Sequence, residues 1–148
     1  MFSLLRRPKK AETAASVGQI EIQDPWTRTL PDKPQTAGAF MTVVNAGSVS
    51  DRLLGATGPE GSTCELQGIR VTGPSISMVR LVDGLYLHHG AAIVFKPRGY
   101  HLILQLPAPL VVGERLPITL AFEQAGRVEV SFEVRPPGTI GEQVLHAP

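Results

Sequence analysis

From Glu114 to Val134 the chain alternates apolar and polar residues twice, with a single break at GlnAlaGly. Leu116, Ile118, Leu120 and Phe122 share one parity in the first run; Val128, Val130, Phe132 and Val134 share one in the second. A period of two sends successive side chains to opposite sides of an extended backbone, so each run is a strand with one buried face. The glycine-containing break joins the two as a hairpin. A helix would scatter these apolar residues around its whole circumference. A hairpin with one apolar face also needs a second layer to cover it, so the pattern already asks for a two-layer β fold.

The rest of the chain follows the same rules. Ile20 and Ile22 alternate with Glu21 and Gln23, and Trp26 follows as a core or rim anchor. Ala37 to Asn45, Asp51 to Thr57, Ser62 to Val71, Ser75 to Val82, Ala91 to Pro97 and Tyr100 to Leu106 are short apolar or β-branched runs of the kind that strands favour. Most of the 13 prolines and 15 glycines fall between them, where turns are needed. ThrLeuProAspLysProGln reads as a loop. The expectation is an all-β fold, an antiparallel Greek-key β-sandwich of about nine strands. It occupies residues 18–136, between a basic tail at 1–17 and an irregular tail at 137–148.

Composition narrows the function classes. The net charge is +1, with aromatic residues at 5%, too little for a nucleic-acid platform of basic and stacking side chains. No run approaches the roughly 18 apolar residues of a membrane span. Arg6, Arg7, Lys9 and Lys10 follow a very short apolar piece. This order is the reverse of an export signal, which predicts a solvated tail and a cytoplasmic chain if the start is the one shown; a membrane-surface contact is the sharper reading of the same charges. There is no phosphate-binding glycine loop, HExxH or GxSxG, so no enzymatic activity is expected.

Few residues carry chemistry. Cys64 is the only cysteine; it shares parity with Leu66 and reads as a small buried thiol. Met41 lies mid-strand and reads as core. His88 and His89 precede Gly90 in a surface turn, and adjacent strand residues face opposite ways, so the two rings are not expected to share a metal. His146 falls in the tail. His101 stands at the mouth of the apolar strand LeuIleLeuGlnLeu and is the favoured centre of any site.

A resemblance gathers around that histidine. ValAspGlyLeu, LysProArgGlyTyrHisLeu and ProAlaProLeu resemble segments of the periplasmic copper chaperones of the PCu(A)C family, as do AspProTrpThrArg, AlaGlyAlaPheMetThrValValAsnAlaGly and AspArgLeuLeuGlyAla. The resemblance implies a cupredoxin-like sandwich that carries Cu(I) on two histidines and two methionines and passes it to an acceptor such as a cytochrome oxidase assembly partner. Soft thioethers suit Cu(I), and imidazole adds a neutral nitrogen. Carried over residue by residue, His101 matches the second histidine. Gln67 stands where the family has its first histidine, and Val79 and Ile103 stand at the two methionines. Met78 is one residue from Val79, and a one-residue offset on a regular strand sends it to the other face. The implied metal set is therefore His101 with Met78, a weak or lost Cu(I) site; the alternative is a metal-free sandwich that serves as an interaction module.

Overall fold

The computed structural model describes residues 12–140 and contains no helix among them. Its strands are β1 (Thr13–Val17), β2 (Ile20–Leu30), β3 (Lys33–Asn45), β4 (Asp51–Thr57), β5 (Thr63–Thr72), β6 (Ser75–Arg80), β7 (Leu85–Leu87), β8 (Ala92–Val94), β9 (His101–Gln105), β10 (Arg115–Phe122) and β11 (Gly126–Val134). The pairing runs β6-β5-β9-β3-β2-β11-β10-β4-β7, with β1 added to β2 and β8 to β3. All pairs are antiparallel except β11 with β2, which meet in parallel at Glu133↔Trp26 and Val134↔Thr27. Neighbours such as β3 and β9, or β4 and β10, are far apart in sequence, as in a Greek-key sandwich.

The β-sandwich is the expected one, with eleven strands rather than about nine. One addition is β1, which takes Thr13–Val17 out of the segment read as tail and pairs it with β2. Another is β7, three residues long and too short to show a period. The supposed loop at residues 29–35 is largely strand, because β2 and β3 run to Leu30 and from Lys33. The basic cluster from Arg6 to Lys10 and the tail histidine His146 lie outside the described residues.

Alternation sets the core. Leu116, Ile118, Leu120 and Phe122 are buried, as are Val130, Phe132 and Val134; Val128 packs at the margin. From the other layer come Ile20, Ile22, Val43, Leu66, Leu102 and Leu104. A bulge in β2 then changes parity. The register with β3 shifts between Gln23 and Trp26, and Asp24 takes φ 48° within it, so one extra residue turns the rest of the strand over. Ile22 pairs with Val43 on the inner face, whereas Trp26 pairs with Phe40 on the outer one.

At the turn before β7 the fold needs a glycine. Gly84 sits at φ +81°, and a Cβ there would run into the carbonyl oxygen of Leu53. Asp51, buried at the start of β4, holds the β10–β11 turn in place. Its Oδ1 accepts from the backbone N–H of Gln124 at 2.8 Å and its Oδ2 from that of Ala125 at 3.0 Å.

Candidate functional site

The outer face of the β2-β3-β9-β5-β6 half holds the residues of interest. His101 and Ile103 lie two apart on β9 and therefore share a face; Leu102 and Leu104 fill the core behind them, each 0% exposed. His101 pairs with Gln67 on β5, and Ile103 with Glu65. Directly opposed residues of an antiparallel pair project to the same side, so all four side chains lie together. On the far side of β9, Gly38 of β3 opposes Ile103. A Cβ at Gly38 would come within 2.8 Å of Phe40 Cζ, so the Phe40 ring lies over the bare backbone at that point. The Trp26 and Phe40 rings pack with centroids 4.5 Å apart and planes tilted by 35°, and Arg135 and Arg28 cap the two rings at 5.1 and 5.5 Å.

His101 is 8% exposed. Its Nδ1 lies 2.8 Å from the carbonyl oxygen of Gly99. A carbonyl only accepts, so Nδ1 carries the proton and Nε2 is the nitrogen left to act. Nε2 faces Gln67 Oε1 at 3.1 Å, while Gln67 Nε2 donates to Glu65 Oε1 at 3.1 Å. The carboxylate fixes the amide orientation and aims its oxygen at the imidazole. That contact is a hydrogen bond only when Nε2 also carries a proton. A metal ion needs the lone pair of the same atom, so metal and Gln67 compete for it.

The β5–β6 register settles where the remaining candidates point. Gln67 pairs with Arg80, Gly68 with Val79 and Ile69 with Met78. Met78 therefore shares the face of Gln67 and His101, one diagonal step beyond Gln67. Val79 lies on the opposite face with Gly68. This reverses the sequence expectation, which put Met78 on the wrong side. The parity of β6 is set by its pairing with β5, and residue spacing could not show that register.

The other chemistry-bearing residues stand apart. Cys64 pairs with Leu104, so its thiol points inward, away from His101. Burial and, to a lesser extent, the charge of Glu65 push it up to about 12. The thiolate fraction at pH 8 then falls roughly a thousandfold below that of an unperturbed thiol. Cys64 is partly buried against the core rather than fully buried, so iodoacetamide at that pH is expected to label it far more slowly in the folded chain than in denaturant, with mass spectrometry as the readout; labelling at equal rates in both states would contradict the inward placement. His88 and His89 occupy an exposed turn. Their rings lie on the same side, centroids 4.2 Å apart, rather than on opposite faces. The two rings are tilted by 33°, and no group of three His, Cys, Asp or Glu side chains suited to a metal occurs among the described residues. The cleft of about 240 Å³ lined by Gln19, Asn45, Ser48, Ser50 and Asp51 includes none of the His101 neighbours.

Sequence reasoning found His101, Gln67 and Ile103 but missed the Gly99 carbonyl and the Glu65–Gln67 link. The second was available in principle, since Glu65 and Gln67 share parity on one strand.

Comparison with known proteins agrees with this architecture. The profile of the LpqE-like family, described as "Putative lipoprotein LpqE-like", matches residues 20–134. A curated relative, "Putative lipoprotein Lxx21020" of Leifsonia xyli subsp. xyli (strain CTCB07), is 26% identical over 130 residues, covering 86% of this chain and 77% of its own. The copper-bound PCuAC domain from PmoF2 superposes with a TM-score of 0.69 at 28% identity, over 83% of this chain and 97% of that one. The solution structure of the Cu(I) form of DR1885 from Deinococcus radiodurans shares the fold, with a TM-score of 0.65 at 22% identity over 87% and 84% of the two chains. The match across the sandwich from β2 to β11 shows that this chain belongs to the LpqE-like family and has the fold of the PCuAC copper-chaperone domains.

Proposed function

We propose that this protein is a PCuAC-type copper carrier with a weakened Cu(I) site centred on His101 Nε2, with Met78 as the second donor. The observation that carries this reading is the His101 geometry. The Gly99 carbonyl fixes the tautomer through Nδ1, an arrangement common to metal-binding histidines because it orients the ring and raises its basicity. Met78 brings a thioether to the same face, half exposed at 50% and so open to exchange. Imidazole plus thioether is a donor set that Cu(I) accepts. It is weak because Gln67 offers a hard amide oxygen and Ile103 offers none. A weak, open site favours release by ligand exchange to an acceptor protein. The lipoprotein descriptions of the family and of the relative support a place outside the cytoplasm, in keeping with the periplasmic habit of the chaperones this chain resembles.

Gln67 favours a second reading. Its amide already occupies the ground in front of Nε2, as it would in a metal-free sandwich that acts only as an interaction module. Competition for Cu(I) against bicinchoninate under reducing conditions separates the two. The carrier reading expects binding by the wild-type chain, loss in His101→Ala, and roughly tenfold weakening in Met78→Leu, equal to about 1.4 kcal/mol. Equal binding by wild type and His101→Ala would move copper elsewhere, and no binding by either would leave the metal-free module.

A further inference from the structure

We infer that the β5–β6 hairpin is a docking surface for an anionic lipid bilayer. β9 supports β5 only over Thr63–Gln67, and β6 ends the strand order. Beyond Gln67 the hairpin therefore projects as a two-stranded ribbon with a Gly73–Pro74 turn at its extremity. Alternation along it is intact: Arg70, Thr72, Ser75 and Ser77 occupy one face, while Ile69, Val71, Ile76 and Met78 occupy the other. The cross-strand pairs Ile69↔Met78 and Val71↔Ile76 make these four a single apolar patch. Their exposures are 39%, 63%, 67% and 50% for Ile69, Val71, Ile76 and Met78. A strand pattern with one apolar face calls for a covering layer, and the described residues supply none here.

The surrounding charge selects the occupant. Arg80, opposite Gln67, shares the face of the apolar patch, whereas Arg70 lies on the reverse, polar face of the ribbon. Lys96 and Arg98 lie in the turn before β9, where Tyr100 packs against Gly68 on that reverse face. The ribbon is therefore amphipathic, with its cations along the polar side and rim. All four cations are exposed, and none is in an ion pair among the described residues. Two carboxylates oppose these four cations: Glu65, which keeps its charge while accepting from the Gln67 amide, and Asp83, beyond β6 in the turn toward β7; the balance stays positive. A second copy would bring the same positive charge to the contact, so the charge argues against self-pairing. A bilayer meets both features at once: apolar side chains enter to a depth of about 5–10 Å while basic groups stay at the anionic headgroups. Each such cation contributes about 1 kcal/mol near an anionic surface.

The test uses the full chain and flotation with vesicles of phosphatidylglycerol and phosphatidylcholine in equal parts, or of phosphatidylcholine alone. The N-terminal cations are present in every variant, so differences report the hairpin. Wild type is expected to float with the anionic vesicles only. Val71→Ser/Ile76→Ser and Arg70→Gln/Arg80→Gln should each lower partitioning by about tenfold or more, with an unchanged melting temperature because all four side chains are exposed. His101→Ala should float like wild type, whatever the fate of the copper reading. Equal flotation of wild type and both hairpin variants would overturn the inference. So would failure of the wild type to float, which would point to an acidic protein surface instead, or a wild-type dimer in light scattering that Val71→Ser/Ile76→Ser makes monomeric.

Discussion

The Gln67→His, Ile103→Met double variant is expected to bind Cu(I) on the order of a thousandfold more tightly than the wild-type chain, a gain of about 4 kcal/mol. Gln67 already stands 3.1 Å from His101 Nε2, so an imidazole there replaces a competing amide with a second nitrogen donor. Ile103 shares a face with His101 on β9, and a thioether at that position would sit beside the same ion. Met78 is on this face without further change. The set then has two nitrogen and two thioether donors, which matches the softness of Cu(I). Adding Val79→Met should bring no further gain, because position 79 faces away with Gly68. Bicinchoninate competition on the folded variants is the measurement. Should the double variant gain nothing while the triple variant gains strongly, the β5–β6 register would carry a bulge that the structure does not show.

Leu102→Ala is expected to cost about 2–5 kcal/mol of stability, the range for a leucine removed from a packed interior. Leu102 is 0% exposed and is paired on both sides, with Ala39 of β3 and Leu66 of β5. Small Ala39 cannot spread into the space, so a cavity would remain. Urea unfolding should show a lower midpoint with an unchanged slope. The neighbouring Ile103→Met faces outward and conserves volume, so by itself it should cost less than about 1.5 kcal/mol. A comparable loss from both substitutions would mean that the two faces of β9 do not divide into a packed inner side and an open outer one.

The fold was legible where alternation was long. Residues 114–134 named their own inward face, and those positions are the buried ones, apart from Val128 at the margin. Three-residue strands such as β7 carry no period, so Leu85–Leu87 passed unnoticed. Thr13–Val17 looked like tail because its composition is small and polar; pairing with β2 makes it a strand. The candidate site was legible through its motif positions. His101, Gln67 and Ile103 are related by parity on two strands, and a resemblance in sequence was enough to group them. Met78 and Val79 were not resolvable in this way, since a neighbouring strand fixes their faces through hydrogen-bonded register. The aromatic pair of Trp26 and Phe40 was hidden by the β2 bulge, which breaks the parity that a linear reading assumes.

By itself, then, the sequence determined the class of fold, the inward face of each long strand and the choice of His101 as the candidate centre of a site. These follow from side-chain chemistry and from a period of two, both local properties. Only the tertiary structure decided that Nδ1 of that histidine is tied to Gly99 and that Nε2 meets an amide held by Glu65. It alone turned Met78 toward the face of His101 and left the β5–β6 ribbon with an apolar face that no other described residue covers. These features depend on which strands pair and in what register, a choice made by the whole core at once.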